Sequence, residues 1–258
     1  MPALANDIPV IRFQCIDSTS AYARREAASG RLCRHPMAFV AHRQVSGVGR
    51  FGRRWESPSG GLWMTLAWPV EPECLGRTLD GLGLRVGVAC RRVVAQLLDE
   101  QGARASVRLK WPNDVLVDGR KVVGVLTELV SHEQTPWLLV GVGLNANLDV
   151  AELPPPVDSS AGTLRAIIGR EVNLDHARQW TIEQLAAALL REGLDETTLT
   201  EARENLHGTG QRMKVSLPDG SRIEGILLGL DDDGGAVFEV DGKRFAAPSG
   251  ATFVVAHG

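Results

Sequence analysis

An α/β chain with antiparallel strand pairing, ending in a small β-barrel, is what this sequence predicts, and three features carry the prediction. Between Thr78 and Gln101 apolar residues recur at helical spacing (Leu84, Val88, Val93, Val94, Leu97, Leu98), the stripe of a helix packed on a sheet. At Asp118-Gly119 two apolar runs meet at a dipeptide that favours a two-residue hairpin. After Leu206 the texture changes to short apolar runs separated by PDG, DDDGG, VDGK and PSG, the pattern of a β-meander.

Taken in order, the first ten residues read as a leader and IRFQCI as a short strand. Asp17, Ser18 and Thr19 offer N-caps for a helix over SAYARREAAS that Gly30 closes. MAFVAHRQ is a buried strand running into SGVGRFGRRWESPSGG, where glycines and proline argue against regular structure and mark a functional loop. LWMTLAWPV resumes as a strand. The glycines at 81, 83 and 87 imply that the helix after it packs closely. Strand signals from Val107 are broken by WPND and continue through VLV and KVVGVLTELV. TPWLLVGVGLNANL is a further strand, ELPPPVDSSAG a proline-rich connection, and DHARQWTIEQLAAALLREG an amphipathic helix. A boundary near Gly208 divides residues 1–208 from a small SH3-like barrel over 209–258.

With 44% hydrophobic residues among 258, the chain can bury a substantial core. A net charge of -3 exerts no general pull on nucleic acid or anionic membrane, so any anion site must be built locally. Cys15, Cys33, Cys74 and Cys90 are widely spaced with no CxxC pair, which argues against a zinc ribbon or a disulfide framework. MPALANDIPV lacks the charged and apolar regions of a signal peptide, no stretch is long and apolar enough for a membrane span, and the cytosol is the expected compartment.

Three segments carry chemistry. Gly47-Val48-Gly49-Arg50-Phe51-Gly52 satisfies GxGxxG literally, but the dinucleotide fingerprint needs a helix directly after the glycines, and Pro58, Gly60 and Gly61 stand against one. The segment does combine glycine backbone with Arg50, Arg53 and Arg54, then Trp55. Guanidinium forks suit phosphate oxygens and an indole face suits a purine; a mobile basic loop with a docked tryptophan is the alternative. Lys110-Trp111-Pro112-Asn113-Asp114 is a proline-fixed turn followed by Lys121 and Gly124. A lysine, an aspartate and an arginine loop suit phosphoryl chemistry, with the cations opposing charge on the α-phosphate. Gly141-Val142-Gly143-Leu144-Asn145-Ala146-Asn147 ends a strand in small residues and amides, which a plain turn explains equally well.

Together these segments resemble the biotin–protein ligase family, whose signatures are GRGRxGRxW-xSPxG, KWPND with K-x-x-G seven residues on, and GxGxN. This chain reads GVGRFGRRWESPSGG, KWPNDVLVDGRKVVG and GVGLN in the same order, and the resemblance runs from about residue 11 to 256. It implies a mixed, largely antiparallel sheet flanked by helices, like that of class II aminoacyl-tRNA synthetases, followed by an SH3-like barrel. It further implies an enzyme that makes biotinyl-5'-AMP from biotin and ATP with Mg²⁺. The biotinyl group then passes to a lysine of a biotin carboxyl carrier domain of a carboxylase.

By motif position the resemblance places biotin against Ser18, Thr19, Gln44, Gly47, Val48, Lys121 and Gly124, and ATP against Arg50, Arg53, Trp55 and Asn145. Lys121, Arg50 and Asp114 are the catalytic candidates, with Asp114 open as either a base or a Mg²⁺ ligand. The family usually has arginine at Val48, arginine or another polar residue at Phe51 and asparagine at Ser20, so ligand retention is expected to differ here. No winged helix precedes Ile11, so DNA binding is not expected; dimerisation through a sheet edge stays open. A lipoate or octanoate ligase or transferase is the rival enzyme, and a non-catalytic biotin- or nucleotide-binding regulator the rival from another class.

Overall fold

The computed structural model describes residues 7–133, 135–149, 151, 153 and 161–247, and the backbone of 252–255. Residues 1–6 of the expected leader, most of the proline-rich connection and the PSG turn lie outside the described residues.

A seven-stranded sheet forms the body. Its strands are β1 (Val10–Ile16), β2 (Met37–Gln44), β3 (Leu62–Pro69), β4 (Val107–Lys110), β5 (Asp114–Val117), β6 (Arg120–His132) and β7 (Thr135–Leu144), in the order β1-β2-β3-β7-β6-β5-β4. β1 and β2 run parallel and every other pair is antiparallel, the mixed and largely antiparallel sheet that was expected. The Asp118-Gly119 hairpin forms as read: both residues have positive φ, 48° and 78°, and Val117 pairs with Arg120. That is the twist-matched turn for which Asp-Gly is suited.

Alternation assigns the two faces. Met64, Leu66, Val123, Val125, Val140 and Val142 enter the main core with helices α3 (Leu82–Glu100) and α5 (Leu174–Leu189). Phe39, Ala67 and Leu139 point the other way, under Ala23 and Ala27 of α1 (Thr19–Ala28), which Ser18 caps by accepting from the Ala21 amide. The helix expected over 78–101 is broken: α2 (Leu75–Leu79) precedes α3, with Gly81 left-handed between them. A buried guanidinium accounts for the break. Arg85 donates to the carbonyls of Thr78, Asp80, Ala188 and Arg191, tying the gap to the end of α5. Two helices were not read from the sequence, α4 (Leu164–Ile168) and α6 (Glu196–Glu204).

The second sheet holds β8 (Arg212–Ser216), β9 (Arg222–Leu230), β10 (Ala236–Val240), β11 (Lys243–Ala246) and β12 (Thr252–Val255), ordered β11-β10-β9-β8-β12 and antiparallel throughout. This second small sheet is of the SH3-like kind expected at this end of the chain. Its inner residues Met213, Val215, Leu227 and Phe238 share one core with Leu84 and Val88 of α3, Leu109 of β4, Trp111, and Leu199 and Ala202 of α6. Among the described residues no helix is long and apolar enough to cross a membrane.

Candidate functional site

One row of paired residues crosses the large sheet on the face that α1 only partly covers. Phe13 pairs with Ala41, Ala41 with Trp63, Trp63 with Gly143, and Gly143 with Gly124. Beyond Gly124, Val115 pairs with Val123 and Asp114 with Lys110. Opposed residues in antiparallel strands share a face. The row therefore passes from apolar side chains, over two glycines, to a carboxylate and an ammonium at the edge.

Lys121 joins this face through a bulge. It lies three residues before Gly124, so strict alternation would aim it at the opposite core. Leu116 pairs with Lys121 while Val115 pairs with Val123, leaving Val122 as an extra residue. Val122 and Val123 consequently both enter the core, at 0% and 2% exposure, and Lys121 turns to the site. Its Nζ lies 2.7 Å from Asp114 Oδ2 and 5.1 Å from the centre of the Trp55 ring. The backbone around the bulge is tethered. Asn145 N–H donates to the Val122 carbonyl, and Gly162 N–H donates to the Lys121 carbonyl, which Asn145 Nδ2 also reaches at 3.5 Å.

The arginine–glycine segment contains no strand, as expected, only a 3₁₀ turn over Arg50–Gly52, yet its backbone is bonded across. Trp55 N–H donates to the Gly47 carbonyl, Gly49 N–H to that of Arg53, and Arg53 N–H to that of Arg50, closing a hairpin whose tip is Phe51 and Gly52, both left-handed. Glycine adopts this conformation freely; Phe51 does so at some cost, the residue being 64% exposed, with Arg50 and Arg53 5.1 and 5.6 Å from its ring centre. The hairpin sets Trp55 on the glycine floor. A Cβ at Gly124 would lie 2.7 Å from the ring, and one at Gly143 2.5 Å from its Nε1. Glycine at both positions is what lets the indole lie flat. Nε1 itself is buried without a partner, a donor that a ligand can satisfy.

Charge in the site is unbalanced. Arg50 and Lys110 are both held below their usual pKa by burial. Asp114 opposes that shift in each case, while neighbouring cations reinforce it: Arg53 for Arg50, and Lys121 and Arg53 for Lys110. One carboxylate faces four cations, and it is already paired with Lys121. Val48 pairs with Arg54, but Arg54 is neutralised by Glu56 at 2.7 Å and does not supply the charge absent at Val48.

At the other end a chain of hydroxyls forms where α1 meets the sheet. Thr65 Oγ donates to Thr19 Oγ at 2.9 Å, so Ser20 must be the donor to Thr65, since a hydroxyl has one proton. Thr19 donates its hydroxyl and its backbone N–H to Gln44 Oε1, at 3.1 and 2.7 Å. Gln44 Nε2 donates to Ser57, and Ser57 to the Trp55 carbonyl. Gln44 keeps one amide hydrogen uncommitted, which suits a ligand carbonyl. Ser20 also accounts for a third glycine: a Cβ at Gly141 would meet its Oγ at 2.5 Å.

Of the residues singled out by sequence, Thr19, Gln44, Gly47, Trp55, Gly124, Lys121, Asp114 and Arg50 are joined by these contacts. Ser18 acts as a helix cap, Val48 and Arg53 lie in the hairpin, and Asn145 binds backbone. Sequence reasoning passed over Lys110, Ser57, Thr65 and the floor glycine Gly143. Lys110 and Gly143 were visible in motifs, whereas Ser57 and Thr65 carried no signal. A surface cavity of about 340 Å³ beside Arg43, Gln44, Arg54 and Glu56 contains none of the catalytic candidates and is not the reaction site. Among the described residues no three His, Cys, Asp or Glu side chains cluster, so there is no all-protein metal cage. Asp114 alone fits a magnesium ion whose other ligands are phosphate oxygens and water.

An indole seated on two glycines, with cations at one end and hydroxyls and an amide at the other, is an arrangement suited to a ligand with an anionic end. The profile of the biotin/lipoate A/B protein ligase family matches residues 13–145. A biotin–[acetyl-CoA-carboxylase] ligase of Mycobacterium tuberculosis is 28% identical, over 90% of this chain and 84% of its own. The bifunctional ligase/repressor BirA of Escherichia coli is 31% identical, over 88% and 68%. The solved biotin protein ligase of Aquifex aeolicus in complex with biotin and ATP has a TM-score of 0.80 at 26% identity, covering 96% and 99%. The chain belongs to the biotin/lipoate A/B protein ligase family. It spans 61% of the length of the similar BirA of Bacillus subtilis.

Proposed function

We propose that this chain activates biotin with ATP as biotinyl-5'-AMP and transfers the biotinyl group to a lysine of a biotin carboxyl carrier domain. The observation that carries the reading is Lys121, turned by a bulge onto a row that is apolar at one end and cationic at the other. Biotin's ureido ring suits the Thr19–Gln44 end and its carboxylate the Lys121 end; Trp55, which rests on the floor glycines in the empty protein, must lift from them for the ligand to pass between.

In the first step a biotin carboxylate oxygen attacks the α-phosphorus, the bond to the β-phosphate oxygen breaks, and pyrophosphate leaves with the electron pair. Lys121, once turned from Asp114, opposes the developing charge together with Arg50 and Arg53. Trp55 covers the ligand and excludes water from the mixed anhydride. Mg²⁺ bound by Asp114 and the phosphates would neutralise charge on the triphosphate. In the second step a neutral lysine amine attacks the acyl carbon, the bond to the phosphate oxygen breaks, and AMP leaves. Asp114, released once Lys121 has turned to phosphate, is positioned to take the proton that nitrogen loses.

The test is transfer of labelled biotin to a purified carrier domain, with ATP omitted as control and lipoate or octanoate as competing substrates. ATP-dependent labelling of one lysine by biotin is the expected result. Labelling by lipoate or octanoate alone, or none with ATP present, overturns the reading.

A further inference from the structure

Thr65 carries a hydroxyl where packing alone asks for none. It stands on β3 two residues from Trp63, so its side chain joins the face of the large sheet that holds the site. There it pairs with Phe39 on one side and Gly141 on the other and is 0% exposed. Valine would fill much the same volume without burying a polar atom, so what the hydroxyl adds is its hydrogen bonds.

The direction of those bonds is fixed at both ends by groups whose roles cannot reverse. The Thr19 backbone N–H can only donate, so the Gln44 amide atom 2.7 Å from it is the oxygen. The Trp55 carbonyl can only accept, so Ser57 commits its proton there, at 3.1 Å, and must accept from Gln44 Nε2 at 2.8 Å. Between these ends Thr19 gives its hydroxyl proton to Gln44 Oε1 at 3.1 Å and therefore receives one from Thr65 at 2.9 Å. The remaining capacity can then be counted. Gln44 Oε1 holds two donors and is full, while one Nε2 hydrogen stays uncommitted. Thr19 Oγ1 has donated once and accepted once, which leaves one lone pair. The network thus ends in one donor and one acceptor on bonded side chains, the complement of a carbonyl beside an N–H.

We infer that Thr65 is a positioning residue for the ring of biotin and sets the choice of ligand at this end of the site. Its proton anchors the Thr19 hydroxyl so that the last lone pair accepts a ureido N–H, while Gln44 donates to the ureido oxygen. The inference rests on the proposed use of biotin. Thr65 touches no reacting atom, so it acts on ring binding and not on the chemical step. The dithiolane of lipoate and the alkyl chain of octanoate offer neither a carbonyl nor an N–H here, and a site whose buried polar groups go unpaired rejects such ligands.

The experiment compares wild type with Thr65→Val, Thr65→Ala and Thr65→Ser. Calorimetry measures binding of biotin and of analogues methylated at either ureido nitrogen, and biotin-dependent pyrophosphate exchange gives KM and kcat. Losing one neutral hydrogen bond should weaken biotin roughly three- to tenfold in Thr65→Val and Thr65→Ala. The KM for ATP, and kcat at saturating biotin, should stay within about twofold, and Thr65→Ser should bind biotin as wild type does. Wild type should lose affinity for one of the methylated analogues, and that loss should shrink in Thr65→Val, because the methyl group and the valine remove two ends of one linkage. Unchanged biotin affinity in a folded variant without the hydroxyl overturns the inference, and Thr65→Ala decides the matter if Thr65→Val does not fold. A weakening that biotin and both methylated analogues share equally also overturns it, as does one that Thr65→Ser fails to restore; Thr65 would then only hold α1 to the sheet. Wild type that binds no biotin overturns the proposed function itself, whereas biotin binding that is indifferent to Thr65 overturns this inference alone.

Discussion

A single methyl group at Gly143 should disable the site while sparing the fold. Its Cβ would lie 2.5 Å from Trp55 Nε1 and 2.7 Å from Cε2. Favourable contacts between such atoms sit at about 3.5–4.0 Å, so the indole must withdraw by roughly 1 Å. A misplacement of about 1 Å can cost a hundredfold in rate, and loss of base stacking about 1–3 kcal/mol. Stability should change little, because Gly143 is not among the positive-φ residues and Trp55 is only half-buried. Gly143→Ala should thus lower kcat/KM for ATP by roughly a hundredfold, with Tm within a few degrees of wild type. The assay is biotin-dependent pyrophosphate release across ATP concentrations, beside a thermal melt. Gly76→Ala, where a Cβ meets nothing within 4 Å, is the control. Wild-type kcat/KM in a folded Gly143→Ala protein refutes the argument that the glycine floor positions Trp55.

Four further outcomes are expected. Lys121→Ala should cut adenylate formation by roughly a hundred- to a thousandfold in a folded protein; wild-type pyrophosphate release would remove Lys121 from the chemistry. Trp111→Phe removes the indole N–H and the pyrrole atoms and leaves the Gly234 carbonyl without its donor, so stability should fall by at least about 1–3 kcal/mol, read as a urea midpoint shift. No shift would mean that the bond contributes nothing. His207 is held below its usual pKa by burial and then by Lys110 and Arg108, so the unfolded chain takes up a proton first. Stability should be full above the unfolded value of about 6.5 and be lost as pH falls through the lower folded value. His207→Gln should flatten that slope in urea melts, and an unchanged slope would assign it to other groups. Val48→Arg should slow release of preformed biotinyl-adenylate in an isotope-dilution chase, since Arg54 is occupied by Glu56; unchanged or faster release makes Val48 a packing residue.

Local chemistry made much of this protein legible in the sequence. The Asp118-Gly119 turn, the helical stripe from Leu84 to Leu98 and the turn-rich segment after Leu206 each follow from residues near one another in the chain, where periodicity and turn preference act. The three motifs likewise named most of the residues that gather at the site. What the sequence could not contain was direction. Whether Lys121 faces ligand or core depends on one extra residue, Val122, and a bulge is decided by pairing with a strand several residues away. The segment from Gly47 to Trp55 is free of strands, as its glycines imply, but the backbone bonds that close it cross from one arm to the other and are not written in any one residue. Trp111 sits inside the KWPND motif, yet its indole N–H is bonded to a carbonyl 123 residues later. The tertiary structure decided these points because side-chain facing, long-range hydrogen bonding and net charge in a cleft are properties of neighbours in space. Sequence specifies those neighbours only through the whole fold.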